Sequence, residues 1–123
     1  MQLKVSAVFN YKELPQEKLE FVAVATVDEI DHGERLIFEI EGVSIVVFNL
    51  AGKYFAIADV CSHDDGPVAE GELDGNEIEC PRHGARFHLE SGKALTLPAV
   101  VDIPAYPVRI EGDEILVGLP LDA

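Results

Sequence analysis

Two short segments carry residue types that bind soft metals. The first is Cys61-Ser62-His63; the second, after 16 intervening residues, is Cys80-Pro81-Arg82-His83. Each offers a thiolate and an imidazole from one turn-rich stretch, written C-x-H and C-x-x-H. Two such loops facing one another bring two sulfurs and two nitrogens to one point. Soft thiolate and borderline imidazole donors suit Zn²⁺ or an iron–sulfur cluster rather than Mg²⁺ or Ca²⁺. Gly66 and Gly84 follow the pairs closely and permit turns that a side chain would block. One Cys and one His alone would read as a small buried residue and a loop histidine. Two pairs at ligand spacing read as ligands. A disulfide between Cys61 and Cys80 would leave both histidines without a role.

The surrounding sequence must hold these loops in place, and it is dominated by period-2 alternation and β-branched residues. Strands are expected over 21–27, 36–40, 43–50, 54–58, 108–111 and 114–117. Ala51-Gly52-Lys53, Asp74-Gly75 and Gly112-Asp113 read as hairpin turns. Leu3, Val5, Ala7 and Phe9 alternate as well, which makes one more strand plausible near the N-terminus. No apolar stripe of helical period exceeds two turns. The fold class is all-β, a small sandwich or partly open barrel. Residues 59–102 differ: strand signals thin out while His, Cys, Gly, Pro and acidic residues crowd in, as in a loop-rich lobe set on a rigid scaffold.

The chain has 123 residues and a formal net charge of −14, with 48% hydrophobic side chains. Length and composition fit one packed domain. Such an acidic chain repels phosphate backbones and anionic lipid surfaces, so neither nucleic acid nor membrane is expected as a partner. The longest uncharged run, between Glu41 and Lys53, is far short of the roughly 20 residues that span a bilayer. With no signal-peptide core at the start, a soluble cytoplasmic protein is expected.

CSHDDG (61–66), CPRHGARF (80–87), SGKALTLPA (91–99) and IPAYPVRI (103–110) together resemble the Rieske-type [2Fe–2S] ferredoxins. The likeness is to the soluble ferredoxin component of Rieske non-haem oxygenase systems, and also to the small subunit of assimilatory nitrite reductase. It runs from about residue 20 to the end. It implies a Rieske-type fold of two antiparallel sheets plus a small cluster-binding lobe at about 59–102, with residues 1–20 as an extension to a 21–123 domain. It implies one [2Fe–2S] cluster, with Cys61 and Cys80 on one iron and His63 and His83 on the other. Pro98 would lie in a third loop shielding the cluster. Two thiolates bring an oxidised diferric site to neutrality, which eases addition of an electron relative to four thiolates. Respiratory Rieske subunits carry an extra cysteine in each box, where Gly66 and Arg82 stand here, and a hydroxyl residue where Ala85 stands. Fewer donors to sulfur imply a potential nearer −150 mV than +300 mV, roughly.

The function so implied is electron transfer from a flavin-dependent ferredoxin reductase to a terminal oxygenase or similar redox acceptor, with no bond chemistry on a substrate. A nitrite reductase small subunit is the alternative within that class. A structural zinc module that binds a partner is the alternative outside it, since Cys₂His₂ ligation also suits tetrahedral zinc. His32 reads as a solvated turn residue, and His88 as a neighbour of the lobe rather than a fifth ligand. Tyr54, Phe55, Phe87 and Tyr106 read as core or shielding residues. Arg82 and Arg86 read as surface arginines balancing Asp64, Asp65 and Glu79.

Overall fold

The computed structural model describes residues 16–40, 42–60, 68–81, 84–96 and 103–121. Among these residues ten strands follow in chain order: β1 Leu19–Thr26, β2 Arg35–Ile40, β3 Val43–Leu50, β4 Lys53–Ala58, β5 Glu72–Asp74, β6 Glu77–Glu79, β7 Arg86–His88, β8 Ala105–Tyr106, β9 Val108–Glu111 and β10 Glu114–Pro120. They form three antiparallel sheets, ordered β1-β10-β9, β2-β3-β4-β8 and β5-β6-β7. The first two are the expected scaffold, and the third belongs to the 59–102 lobe. No helix among the described residues is long and apolar enough to cross a membrane.

The centre of the middle sheet is buried on both faces, and β3 explains why. Its Ile45 and Val47 join a core with Ile115 and Val117 of β10. Its Val46 and Phe48 join a second core with Ile78 and Phe87 of the lobe. Alternate side chains thus enter opposite cores, so the strand reads as a continuous apolar run rather than alternating with polar residues. Each fully buried Ile or Phe contributes roughly 1.5–3 kcal/mol through its removal from water. The lobe is therefore joined to the scaffold through an apolar interface.

The β3–β4 connection is a two-residue turn in which Ala51 (φ 55°) and Gly52 (φ 89°) are both left-handed. A left-handed alanine is unfavourable by about 1–2 kcal/mol. Two side chains compensate. The Ala51 N–H donates to His32 Nδ1 at 2.7 Å, and the Gly52 N–H donates to Asn49 Oδ1 at 2.9 Å. His32 is thus exposed, as expected, but it is also an acceptor that supports a strained hairpin.

Several expectations shift in detail. The lobe hairpin turns at Gly75-Asn76 rather than Asp74-Gly75, because Asp74 still pairs with Glu77 and the Asn76 carbonyl accepts from Leu89 N–H. β1 begins at Leu19, inside the stretch assigned to the extension, because Leu19 pairs with Pro120. The strand expected at Leu3–Phe9 falls outside the described residues.

Candidate metal centre

Of the four residues singled out as ligands, Cys80 is described; Cys61, His63 and His83 lie outside the described residues, as do Gly66, Arg82 and Pro98. The structure does describe the segments that launch and receive each loop.

Cys80 follows the end of β6. Its N–H donates to the Ala85 carbonyl at 2.6 Å, and its own carbonyl accepts from Gly84 N–H at 3.0 Å. The second box is therefore a short loop closed at its neck by the residue that carries the thiol. Gly84 turns the chain at φ 79°, a region that a residue with a Cβ avoids. Cys80 is 1% exposed, its thiol is free, and it shares the lobe core with Phe87, Val68 and Ala85. Both backbone groups are bonded, so the sulfur is the one donor this residue has left. Cys80 also lines a cleft with Glu70, Gly71, Glu72, Glu79, Pro81 and Gly84.

The first box leaves the scaffold after Asp59 and returns at Val68. One oxygen of the Asp59 carboxylate accepts from both Val68 N–H (2.9 Å) and Ala69 N–H (2.8 Å). From β2, Arg35 donates to the Ala69 carbonyl at 2.7 Å and to the Gly71 carbonyl at 2.6 Å. Sequence reasoning singles out neither Arg35 nor Asp59; a charged residue in a strand or at a strand end carries no local mark of a distant backbone partner. A third neck joins Gly92 and Ile103, where Ile103 N–H donates to the Gly92 carbonyl at 2.8 Å. It closes the segment containing 97–102.

The other expected residues fall as follows. Phe87 is fully buried and Tyr106 nearly so, while Tyr54 and Phe55 are partly buried against the two cores. His88 lies on β7, with Ser91 Oγ 3.4 Å from its Nδ1. Among the described residues no three His, Cys, Asp or Glu side chains are placed to hold a metal ion, so His32 and His88 form no second metal site with a carboxylate there. Arg86 does balance Glu79 (3.2 Å), but its other partners are Asp74 (3.0 Å) and Glu77 (3.2 Å). The hydrogen bonds it donates to Asp74, first, and to Glu77 hold its guanidinium above the ordinary arginine range.

A free, buried thiol at the neck of a glycine-turned loop suits a soft metal or iron–sulfur centre. Comparison with known proteins points the same way. Residues 20–107 match the Rieske [2Fe-2S] domain. The ferredoxin subunit of 3-phenylpropionate/cinnamic acid dioxygenase from Escherichia coli strain K12 is 43% identical over 95 residues, 76% of this chain and 89% of that protein. Among solved structures, the ferredoxin of carbazole 1,9a-dioxygenase from Nocardioides aromaticivorans IC177 is 35% identical, with a TM-score of 0.75 over 79% of this chain and 95% of that one. A chain in the complex of reduced oxygenase and oxidized ferredoxin in carbazole 1,9a-dioxygenase is 25% identical, with a TM-score of 0.77 over 84% and 96%.

Proposed function

Because the chain belongs to the Rieske [2Fe-2S] domain family, we propose that Cys61 and Cys80 hold one iron of its single [2Fe–2S] cluster and that His63 and His83 hold the other. The chain is an electron carrier rather than an enzyme. When bound, a cluster of this kind takes up one electron and later gives it back. Cys80 supplies a sulfur from the dry side, backed by Phe87 and Val68. Cys61 and Cys80 also supply the negative charge that brings the oxidised site to neutrality. A metal-bound imidazole keeps its second ring nitrogen, so His63 and His83 supply polar groups toward an electron partner.

The electron source in this reading is a flavin-dependent ferredoxin reductase, and the acceptor is a terminal oxygenase. The protein works in the cytoplasm, with residues 21–123 as its domain and 59–102 as the cluster lobe. The carrying observation is that the chain aligns with 89% of a dioxygenase ferredoxin subunit. The net charge of −14 favours fast, salt-sensitive encounter with a basic face. Such docking is small and transient, burying less than about 1,200 Å².

A reductive titration followed by single-turnover mixing tests this. The expected result is one electron taken up per chain, then reoxidation by a terminal Rieske oxygenase at a rate that falls with ionic strength. A chain that accepts no electron, or that stays reduced in the presence of every Rieske oxygenase tried, contradicts the reading.

A further inference from the structure

We infer that Arg35 and Asp59 are positioning residues that set the spacing between the two ligand loops. The inference rests on the ligand assignment above and extends it to side chains outside both boxes.

The two residues grip one short segment, 68–71, one at its amides and the other at its carbonyls, with opposite charge. The Asp59 carboxylate takes the amides of Val68 and Ala69, and the Arg35 guanidinium takes the carbonyls of Ala69 and Gly71. Val68, Ala69 and Gly71 are buried, so water does not readily replace these partners. Hydrogen bonds with an ionised partner are among the strong ones. Asp59 is itself fixed, because its N–H donates to the Ser44 carbonyl on β3 at 2.9 Å. Arg35 is fixed over the Phe48 ring, 5.2 Å from its centroid. Asp59, at the end of the scaffold strand, and Val68, where the described chain resumes, are therefore tied through a single carboxylate oxygen.

The grip reaches the second box through Gly71. A Cβ placed there would lie 1.8 Å from the Glu79 carbonyl oxygen and 2.8 Å from its carbon. The Gly71 backbone is thus seated directly on the peptide that leads into Cys80. A shift at 69–71 must push Glu79, and Cys80 with it. Arg35 on β2 and Asp59 at the end of β4 transmit the rigidity of the middle sheet to both loops at once. A scaffold role alone would not require both charges to converge on the same four residues between the boxes.

The test uses iron-loaded protein and four variants: Arg35→Met, Arg35→Lys, Asp59→Ala and Asp59→Asn. The readouts are the rate at which a chelator strips iron, the visible circular dichroism, and the paramagnetic resonance line positions after reduction. A lost charge-assisted bond is expected to speed iron release about tenfold. Arg35→Met and Asp59→Ala should show this, together with shifted lines and altered dichroism. Arg35→Lys, with the charge kept but the fork lost, should fall between Arg35→Met and the parent. Asp59→Asn, which keeps an oxygen acceptor, should recover most of the parent behaviour. Should Arg35→Met fail to fold, Arg35→Lys and Asp59→Ala carry the comparison. Folded variants with parental release rate, dichroism and line positions would overturn the positioning role. A parent chain that binds no iron would instead overturn the ligand assignment, so the two failures are distinct.

Discussion

Replacing Gly92 by alanine probes whether the lobe is built on backbone contacts too close for any side chain. Gly92 has φ 74°, and a Cβ there would stand 1.9 Å from the Ile103 carbonyl oxygen and 3.0 Å from its carbon. The obstacle is buried main chain, which cannot rotate aside. The left-handed backbone alone costs about 1–2 kcal/mol once a Cβ is present. Forcing the new carbon in adds about 1–3 kcal/mol. The Ile103 N–H bond to the Gly92 carbonyl is strained in the same movement. A total near 4 kcal/mol is a large share of the roughly 5–15 kcal/mol that holds a domain together. With an unfolding entropy of roughly 2.1 cal/mol/K per residue, 4 kcal/mol lowers the midpoint of a chain this size by about 15 °C. Gly112→Ala is the matched control. Gly112 has φ 63°, and a Cβ there would meet nothing within 4 Å, so only the backbone cost applies, a drop of about 4–8 °C. Thermal unfolding by far-ultraviolet circular dichroism, at one scan rate, separates the two. Equal shifts for both variants, or a Gly92→Ala midpoint within about 3 °C of the parent, would refute the reasoning.

Three further outcomes are expected. Asn49, 6% exposed, donates to the Ile30 carbonyl at 2.6 Å and accepts from Gly52 N–H; Asn49→Leu strands both groups and should cost about 2–4 kcal/mol by denaturant titration. Arg86→Met leaves Asp74, Glu77 and Glu79 facing one another, and the resulting drop in melting temperature should shrink as salt is added. Because the Arg86 pKa is raised, its contribution is fully present below the ordinary arginine value and is lost only as pH climbs through the raised one. The Arg86→Met deficit should therefore stay flat across neutral and mildly alkaline pH in the same melts. In the ligand series, Cys61→Ser or Cys80→Ser should abolish the visible cluster absorbance, His83→Cys should lower the midpoint potential, and His32→Ala should change neither.

The scaffold is largely legible in the sequence because its signals are local. The apolar run 43–50 matches β3 to the residue, while the turn expected at Ala51-Gly52-Lys53 narrows to Ala51-Gly52 because Lys53 pairs with Leu50. β7 and β8 are not legible, since strands of three and two residues carry too little pattern and exist through pairing with β6 and β4. The metal-binding residue types stand out because Cys and His at such spacing are rare by chance. What holds their loops does not. Arg35 lies 34 and 36 positions from the carbonyls it grips, and no local period records that distance. His32 reads as a solvated turn residue because its acceptor role depends on Ala51, 19 positions away.

The most direct test is metal and sulfide analysis of freshly purified, anaerobically handled protein, joined to pulsed paramagnetic resonance of the reduced sample. The account predicts two irons and two acid-labile sulfides per chain, with hyperfine coupling from two ligand nitrogens. One zinc and no iron, or a reduced iron–sulfur signal without nitrogen coupling, would contradict it.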